Sequence, residues 1–493
     1  MYLGFPIFII PHSGGKVKGF SEFFRILQRE TVDTDSIGFY FLQKGARRMT
    51  FSSLIFLFAF LPLTLAAYYL FPRGWRNAVL LAAGLLFCAW DRPASLLPLL
   101  WETLAAYCFA RLFARSGRRV WFWGGVACVT APLLLFKYTP FGSSYGLPQG
   151  ISFYTFALLS YLADVSRGRA EAERNPLLFG TYATLFPLLG AGPILRWSET
   201  RGQLTERRES LMAFGVGVGR FCCGLGKKLL LGDGLAAGYR YYRDLLTGQP
   251  TVLGAWMTLI CFTLHLYFDF SGYTDMALGV GRMFGFRFPE NFDYPFLARS
   301  VTNFWRRWHL SLSRWFRDYV YIPLGGNRRG RLIQCRNLAA VWLLTGVWHG
   351  AGWNFLLWGG YFCVILICEH LFLRRFLERL PSFPAHLYAL FLILVSFLPF
   401  SYRDWTGGWQ CFCALFGVGT VGVTSAVTSW QALRLLPLLA IAAFGSTPLP
   451  RRIWGRFAYR VPVALPIGAV LLTVLCVAYL LDASFLPFAY LNF

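Results

Sequence analysis

The chain has 493 residues, of which 56% are hydrophobic, 18% aromatic and 14% charged, with a formal net charge of +24 and a mean hydropathy of +0.49. A soluble chain carries about a quarter charged residues, so an ordinary soluble multidomain protein is excluded. The positive charge is largely arginine, clustered between apolar runs. That pattern points to the positive-inside rule and anionic lipid headgroups, and away from nucleic acid.

Residues 1–48 differ from the rest of the chain. They mix Lys, Glu, Asp and Gly, and Gly4–Ile10 is too short to span a bilayer. Met49 opens MTFSSLIFLFAFLPL, which reads like a natural N-terminus, so 1–48 is expected to be an extension or a mis-assigned start, and 49–493 one membrane domain.

Apolar runs then recur without the alternation of barrel strands. They are Ser52–Phe71, Asn77–Trp90, Ala94–Phe113, Val120–Lys137, Ile151–Val165, Leu177–Leu195, Leu211–Leu231 and Val252–Phe270. Beyond a motif-rich block at 265–330 come Leu338–Trp348, Trp353–Leu373, Ala385–Phe400, Trp409–Val427, Leu433–Phe444 and Val463–Leu481. The fold class is therefore all-α: a multi-spanning integral membrane protein of about 10–12 transmembrane helices, with re-entrant or amphipathic helices besides. Proline and glycine breaks mark 151–165 and 177–195 as tilted or re-entrant. Arg111, Arg115, Arg118 and Arg119 place the loop after the third span inside, and the start of the first span outside. The 12 cysteines form no C-x-x-C pair, and neither a disulfide framework nor a metal site is indicated. No internal repeat is apparent, which weakens an inverted-repeat transporter.

Two histidines carry the chemical signal. His349 lies in VWHGAGWNFLLWG, among Trp348, Trp353 and Trp358 and before Gly350 and Gly352, which permit a helix break and close approach of a ligand. An ionisable group at membrane depth marks a functional site by default. His309 lies in FWRRWHLSLSRWFRDYVYIPLGGNRRG. Taken as one helix over 302–321, this segment gathers Trp305, Trp308, His309, Leu312, Phe316 and Tyr319 within an arc of about 100°. Arg306, Arg307, Ser311, Ser313, Arg314, Arg317 and Asp318 fall on the other side. His309 is then either an interfacial histidine bonded to backbone or a second active-site group within one substrate's reach of His349. A histidine base that deprotonates an acceptor hydroxyl, which then attacks an activated acyl group, suits the pair. The four arginines Arg306, Arg307, Arg314 and Arg317 are expected to face the cytoplasm; they either hold an anionic donor or contact lipid headgroups. Asp269 and Asp275 in YFDFSGYTDMA, and Asn327 in the turn at 325–330, are further substrate-binding candidates. Either aspartate could instead pair with an arginine or cap a turn. His265 reads as packing. The runs around Gly215–Gly219 and Gly279–Gly281 only weakly resemble a nucleotide loop.

Several long segments in order resemble the membrane-bound O-acyltransferase family, most closely its bacterial alginate O-acetyltransferase branch. They are MTFSSLIFLFAFLPL, LPQGISFYTFALLSYLADVSRGR, GAGPILRW, GLGKKLLLGD, YFDFSGYTDMA, the 304–330 block, WHGAGWNF and the terminal LPFAYLNF. The resemblance implies that His349 is the catalytic histidine and His309 the second signature histidine. It also implies a funnel in which donor and acceptor meet from opposite faces. The expected activity is O-acetyl transfer from acetyl-CoA toward a cell-surface polysaccharide at the bacterial cytoplasmic membrane, with no bound cofactor. The expected partners are membrane lipids, the acyl donor, the surface polysaccharide and an acetyltransferase outside the membrane. Transfer of D-alanine or a longer acyl group to teichoic acid or peptidoglycan is the rival within the class. A polysaccharide or lipid exporter without chemistry is the rival outside it.

Overall fold

The computed structural model describes residues 49–482 except 91 and 403, and the expectation for 1–48 lies outside that range. The described residues form an all-helical body. In chain order the main helices are α1 (Phe56–Leu70), α2 (Arg76–Ala89), α3 (Leu96–Ser116), α4 (Arg119–Tyr138), α5 (Ile151–Ser166), α6 (Leu211–Gly226) and α7 (Asp233–Gly248). They continue with α8 (Val252–Met283), α9 (Arg331–His349), α10 (Trp353–Cys368), α11 (Ser382–Ser396), α12 (Ala426–Gly445), α13 (Leu449–Arg460) and α14 (Ala464–Asp482). By length and composition, seven helices among the described residues can each cross a bilayer. The other expected spans are realised as shorter helices such as α1 and α5, or as broken ones: the run 177–195 folds as Pro176–Ala183 and Phe186–Leu189.

The body is organised around α8. In its most apolar stretch 72% of the residues are buried, whereas no other candidate span exceeds 39%. Helices in lipid gain little from burying apolar surface, so small residues that admit close backbone contact decide where they cross. Glycines do so here at two levels, seven residues apart on each helix. A Cβ on Gly279 would lie 2.7 Å from the Gly217 carbonyl oxygen, and one on Gly224 2.6 Å from that of Gly272. Within the runs 215–219 and 279–281, Gly217 and Gly279 thus serve helix packing. A second tight crossing joins α9 to α10, where a Cβ on Gly346 would lie 2.6 Å from the Phe355 carbonyl and one on Gly359 2.5 Å from that of Trp342.

The buried end of α6 carries an ion triad. Lys228 Nζ lies 2.5 Å from Asp233 and 2.9 Å from Asp269, with all three side chains at most 4% exposed. His265 contacts the Gly232 carbonyl through Nδ1 at 2.9 Å, in keeping with a packing role.

The two ends of the bundle differ in charge. Tyr69 donates to the Met283 carbonyl, Arg111 to that of Arg174, and Arg196 pairs with Asp318 at 2.7 Å. The arginine-rich loops after α1, α3, α5, α8 and before α9 therefore share one face. The opposite face is joined by backbone bonds from Val252 and Leu253 to Gly422 and Val423. The positive-inside rule assigns the arginine-rich face, with the loop after α3, to the cytoplasm.

Gly279→Ala is expected to lower the melting temperature of the detergent-purified protein, because its methyl group would force α6 and α8 apart. Gly215→Ala, with nothing within 4 Å of the added carbon, should leave it unchanged or slightly raised.

Candidate active site

The expected continuous helix over 302–321 is broken in the structure. A short helix ends at Trp305, another starts at Leu310, and 317–321 widens into a π-helical turn. The break falls on His309, whose backbone is left-handed at φ 46° and ψ 55°. Only one other non-glycine residue with described backbone, Tyr294, shares that conformation. Such a conformation costs about 1–3 kcal/mol and persists only where its surroundings enforce it. The break also changes which side chains face inward. Ser311 is buried beside Trp308, His309, Leu312, Trp315 and Phe316, so the helical arc expected from an unbroken helix is corrected at Ser311.

Asn291, wholly buried in the loop after α8, enforces the break. Its backbone carbonyl accepts from Leu310 N–H at 3.0 Å. Its Oδ1 accepts from the backbone N–H and hydroxyl of Ser311 at 3.0 and 2.9 Å, and meets His309 Nδ1 at 3.2 Å. The Ser311 backbone N–H can only donate, which identifies the Asn291 atom as the oxygen and makes His309 Nδ1 the protonated nitrogen. A neutral His309 therefore presents a lone pair at Nε2.

His349 ends α9, and Gly350 continues in extended conformation, so the expected helix break is present. His349 is 5% exposed. It packs against Trp348 (4.7 Å between centroids), Trp358 (4.9 Å) and Phe400 (5.1 Å). Trp353, expected in this box, points away and is 80% exposed. A Cβ at Gly350 would lie 2.3 Å from the Phe355 ring, which explains the glycine.

Trp348 joins the two histidines. Its centroid lies 6.1 Å from that of His309 and 4.7 Å from that of His349, so the imidazoles are no further apart than the sum of these distances. Phe270 meets His309 edge-on at 4.8 Å, and Phe153 packs against both His309 and Trp348. The indole N–H groups of Trp348 and Trp358 are buried without an acceptor among the described residues.

Lys137 completes the cluster from the end of α4. Its ammonium donates to the Trp348 carbonyl, lies 3.5 Å from Ser152 Oγ and sits 5.5 Å from the Trp348 ring. The neighbouring Tyr138 hydroxyl donates to the Val347 carbonyl. Two α4 side chains thus cap the C-terminal end of α9, where a cation also complements the helix dipole. The sequence gives little sign of this. A lysine at the end of an apolar run reads as interfacial, and Asn291 stands between two more conspicuous acids, Glu290 and Asp293.

The other expected substrate contacts are dispersed. Asp269 is engaged by Lys228, and Asp275 by Arg220 at 2.8 Å and Lys227 at 2.6 Å, so both carboxylates form ion pairs within the bundle. Arg307 holds Asp293, Arg314 reaches the Leu310 carbonyl, and Arg317 pairs with Asp318 at 2.7 Å. Burial would raise the Asp318 carboxyl, but Arg317 and Arg196 more than offset this and hold it below the usual range. Arg306 and Asn327 are exposed on the arginine-rich face.

Comparison with known proteins decides the family. The model described as MBOAT, membrane-bound O-acyltransferase family, matches residues 120–402, more than half of the chain. The chain is 38% identical to the probable alginate O-acetylase AlgI of Azotobacter vinelandii over 431 residues, covering 80% of this chain and 85% of that protein. The chain belongs to the membrane-bound O-acyltransferase family. It is also 33% identical to the peptidoglycan O-acetyltransferase of Helicobacter pylori, covering 63% of this chain and 68% of that protein. With the teichoic acid D-alanyltransferase of Bacillus subtilis it shares 29% identity over 60% of this chain and 79% of that protein. It is thus an acyltransferase and a multi-pass membrane protein, and both histidines fall within the region matched by the membrane-bound O-acyltransferase model.

Asn291→Ala is expected to lower the transfer rate per folded molecule by about tenfold or more, since a misplacement of about 1 Å at a reacting group has effects of this order. Asn291→Asp keeps the accepting oxygen and should retain more activity. Initial rates on matched amounts of monodisperse protein would decide.

Proposed function

We propose that this acyltransferase moves acetyl groups from acetyl-CoA, received at the arginine-rich cytoplasmic face of the bacterial cytoplasmic membrane, toward hydroxyls of a cell-surface polysaccharide of the alginate type. The relatedness to alginate and peptidoglycan O-acetyltransferases supports the acyl group and the acceptor class. The observation that carries the chemistry is the buried His349 at a broken helix end, boxed by aromatic rings and joined through Trp348 to both His309 and Lys137.

In this reading His349 takes the proton of the acceptor hydroxyl as its oxygen attacks the thioester carbonyl. The tetrahedral intermediate collapses, the carbon–sulfur bond breaks, and the departing thiolate receives the proton as free thiol. The negative oxygen needs donors that are fixed before it forms. The Trp348 and Trp358 indole N–H groups and the Lys137 charge are the ones at hand. A neutral His309 cannot donate from Nε2, so it serves as a hydrogen-bond acceptor that orients the incoming hydroxyl or the thiol. The aromatic walls keep out water, which would otherwise hydrolyse the donor. An acetyltransferase partner outside the membrane would complete delivery to the polymer.

His349→Ala should reduce acetyl transfer by about 10²-fold or more, with normal accumulation in the membrane. Acetyl content of the surface polysaccharide, beside transfer from labelled acetyl-CoA in membrane vesicles, is the measurement. Wild-type acetylation by a well-expressed variant would remove His349 from the chemistry. Incorporation of alanine in place of acetate would move the protein to the D-alanyl branch.

Lys137→Gln should slow transfer by about tenfold through loss of a pre-placed charge, and Lys137→Arg should recover part of the rate. Equal loss in both variants would assign Lys137 to the fold alone.

A further inference from the structure

Outside the histidine site, the described residues enclose an open cavity of about 890 Å³ on the cytoplasmic face. One wall is α13, which contributes Arg451, Arg452, Gly455, Arg456, Tyr459 and Arg460; the other is Tyr294. The helix is amphipathic. At about 100° per residue, Arg452, Arg456 and Tyr459 share one side, and Ile453, Trp454 and Phe457 lie opposite. Those three apolar residues are 41–57% exposed, as suits a face set into lipid. Arg452 and Arg456 are thus on the side turned from the hydrocarbon and toward Tyr294.

The state of these arginines differs from that of the cluster at 306–317. There, Arg307 and Arg317 are bound by Asp293 and Asp318. None of the four α13 arginines has an ion pair or a side-chain hydrogen bond among the described residues. Four like charges within about three helical turns repel one another, and a cavity so lined offers a place for a multiply charged anion. Arginine forks suit phosphate in particular. Gly455, with nothing within 4 Å of its missing Cβ, leaves the middle of the wall open.

The cavity is also tied to the active site. Tyr294 adopts the left-handed conformation three residues after Asn291, which holds His309. Between them, Asp293 donates its N–H to the Arg307 carbonyl at 2.9 Å and accepts the Arg307 guanidinium on its own carbonyl at 3.1 Å.

We propose that the α13–Tyr294 cavity is a phosphate-binding site that receives the nucleotide phosphates of the acyl donor, while the thioester end extends toward His349. The proposal rests on the reading that the donor is a nucleotide-linked thioester. An anionic lipid headgroup offers the same phosphate chemistry, and the two sources are separable. The probe is adenosine 3′,5′-bisphosphate, which carries phosphates and no acyl group, added to the full-length protein in nanodiscs of neutral phosphatidylcholine or of phosphatidylcholine with phosphatidylglycerol.

Saturable binding is expected in neutral discs, weakened by salt and competed by CoA. The double variant Arg452→Gln/Arg456→Gln should weaken it by about tenfold, a difference of about 1.4 kcal/mol. Arg452→Lys/Arg456→Lys keeps charge and topology but not the planar fork, and should fall between. In transfer assays the Gln variant should raise KM for acetyl-CoA far more than it lowers kcat. No nucleotide binding by the wild type, equal binding by wild type and Gln variant, or an effect of the substitutions confined to phosphatidylglycerol retention would each overturn the proposal. Its failure is distinguishable from that of the proposed function. His349→Ala tests transfer without reference to α13, and nucleotide binding tests α13 without reference to transfer.

Discussion

Direct backbone contact between α6 and α8 is the constraint on which the rest of the molecule depends. Lipid tails are as apolar as leucine, so nothing in the bilayer drives α8 into the centre except close packing and satisfied polar groups. The Gly217–Gly279 and Gly224–Gly272 contacts supply the first, and the Lys228–Asp233–Asp269 triad beside them supplies the second. With α8 fixed, the loop that leaves its cytoplasmic end is fixed as well, and that loop carries Asn291 and Tyr294. Helix packing and site geometry are therefore one problem in this fold.

The candidate site shows how strain is held in place. His309 occupies a conformation that a regular helix would never give it, and the energy that offsets this comes from one asparagine. Asn291 satisfies Leu310, Ser311 and the imidazole together, so moving His309 would expose several buried polar groups at once. The same contacts choose the tautomer, linking backbone geometry to proton chemistry. His349 is held by other means: the end of its helix is capped from α4 by Lys137 and Tyr138, and its ring is walled by aromatic side chains.

Charge is divided between the two faces for two purposes. Arginine-rich loops gather on one side and set the topology. Among them, some are neutralised by carboxylates, as Arg196 and Arg317 are by Asp318, and others, along α13, have no carboxylate partner among the described residues. Lys137 is the exception. It lies near the opposite end of its span from the arginines at 118 and 119, against α9.

Local pattern was enough to establish an all-helical membrane body and to single out His309 and His349 as candidates. Hydrophobic runs, arginine clusters and an imidazole among apolar residues are local signals, and a bilayer penalises each departure so strongly that the pattern is hard to mistake. Periodicity failed where the chain breaks its own period: 302–321 reads as one helix because its residues repeat at helical spacing, and only Asn291, eighteen residues before His309, turns that histidine out of register. That Asp269 and Asp275 are held in ion pairs could not be read from composition, because the lysines and the arginine against them come from α6 and the turn after it. Lys137 could not be read as part of the site, since its meaning depends on a contact with Trp348 across more than two hundred residues. The sequence by itself determined which groups are too costly to bury without purpose; the tertiary structure alone decided which of them meet, because long-range helix packing is set by backbone contacts that no local pattern records.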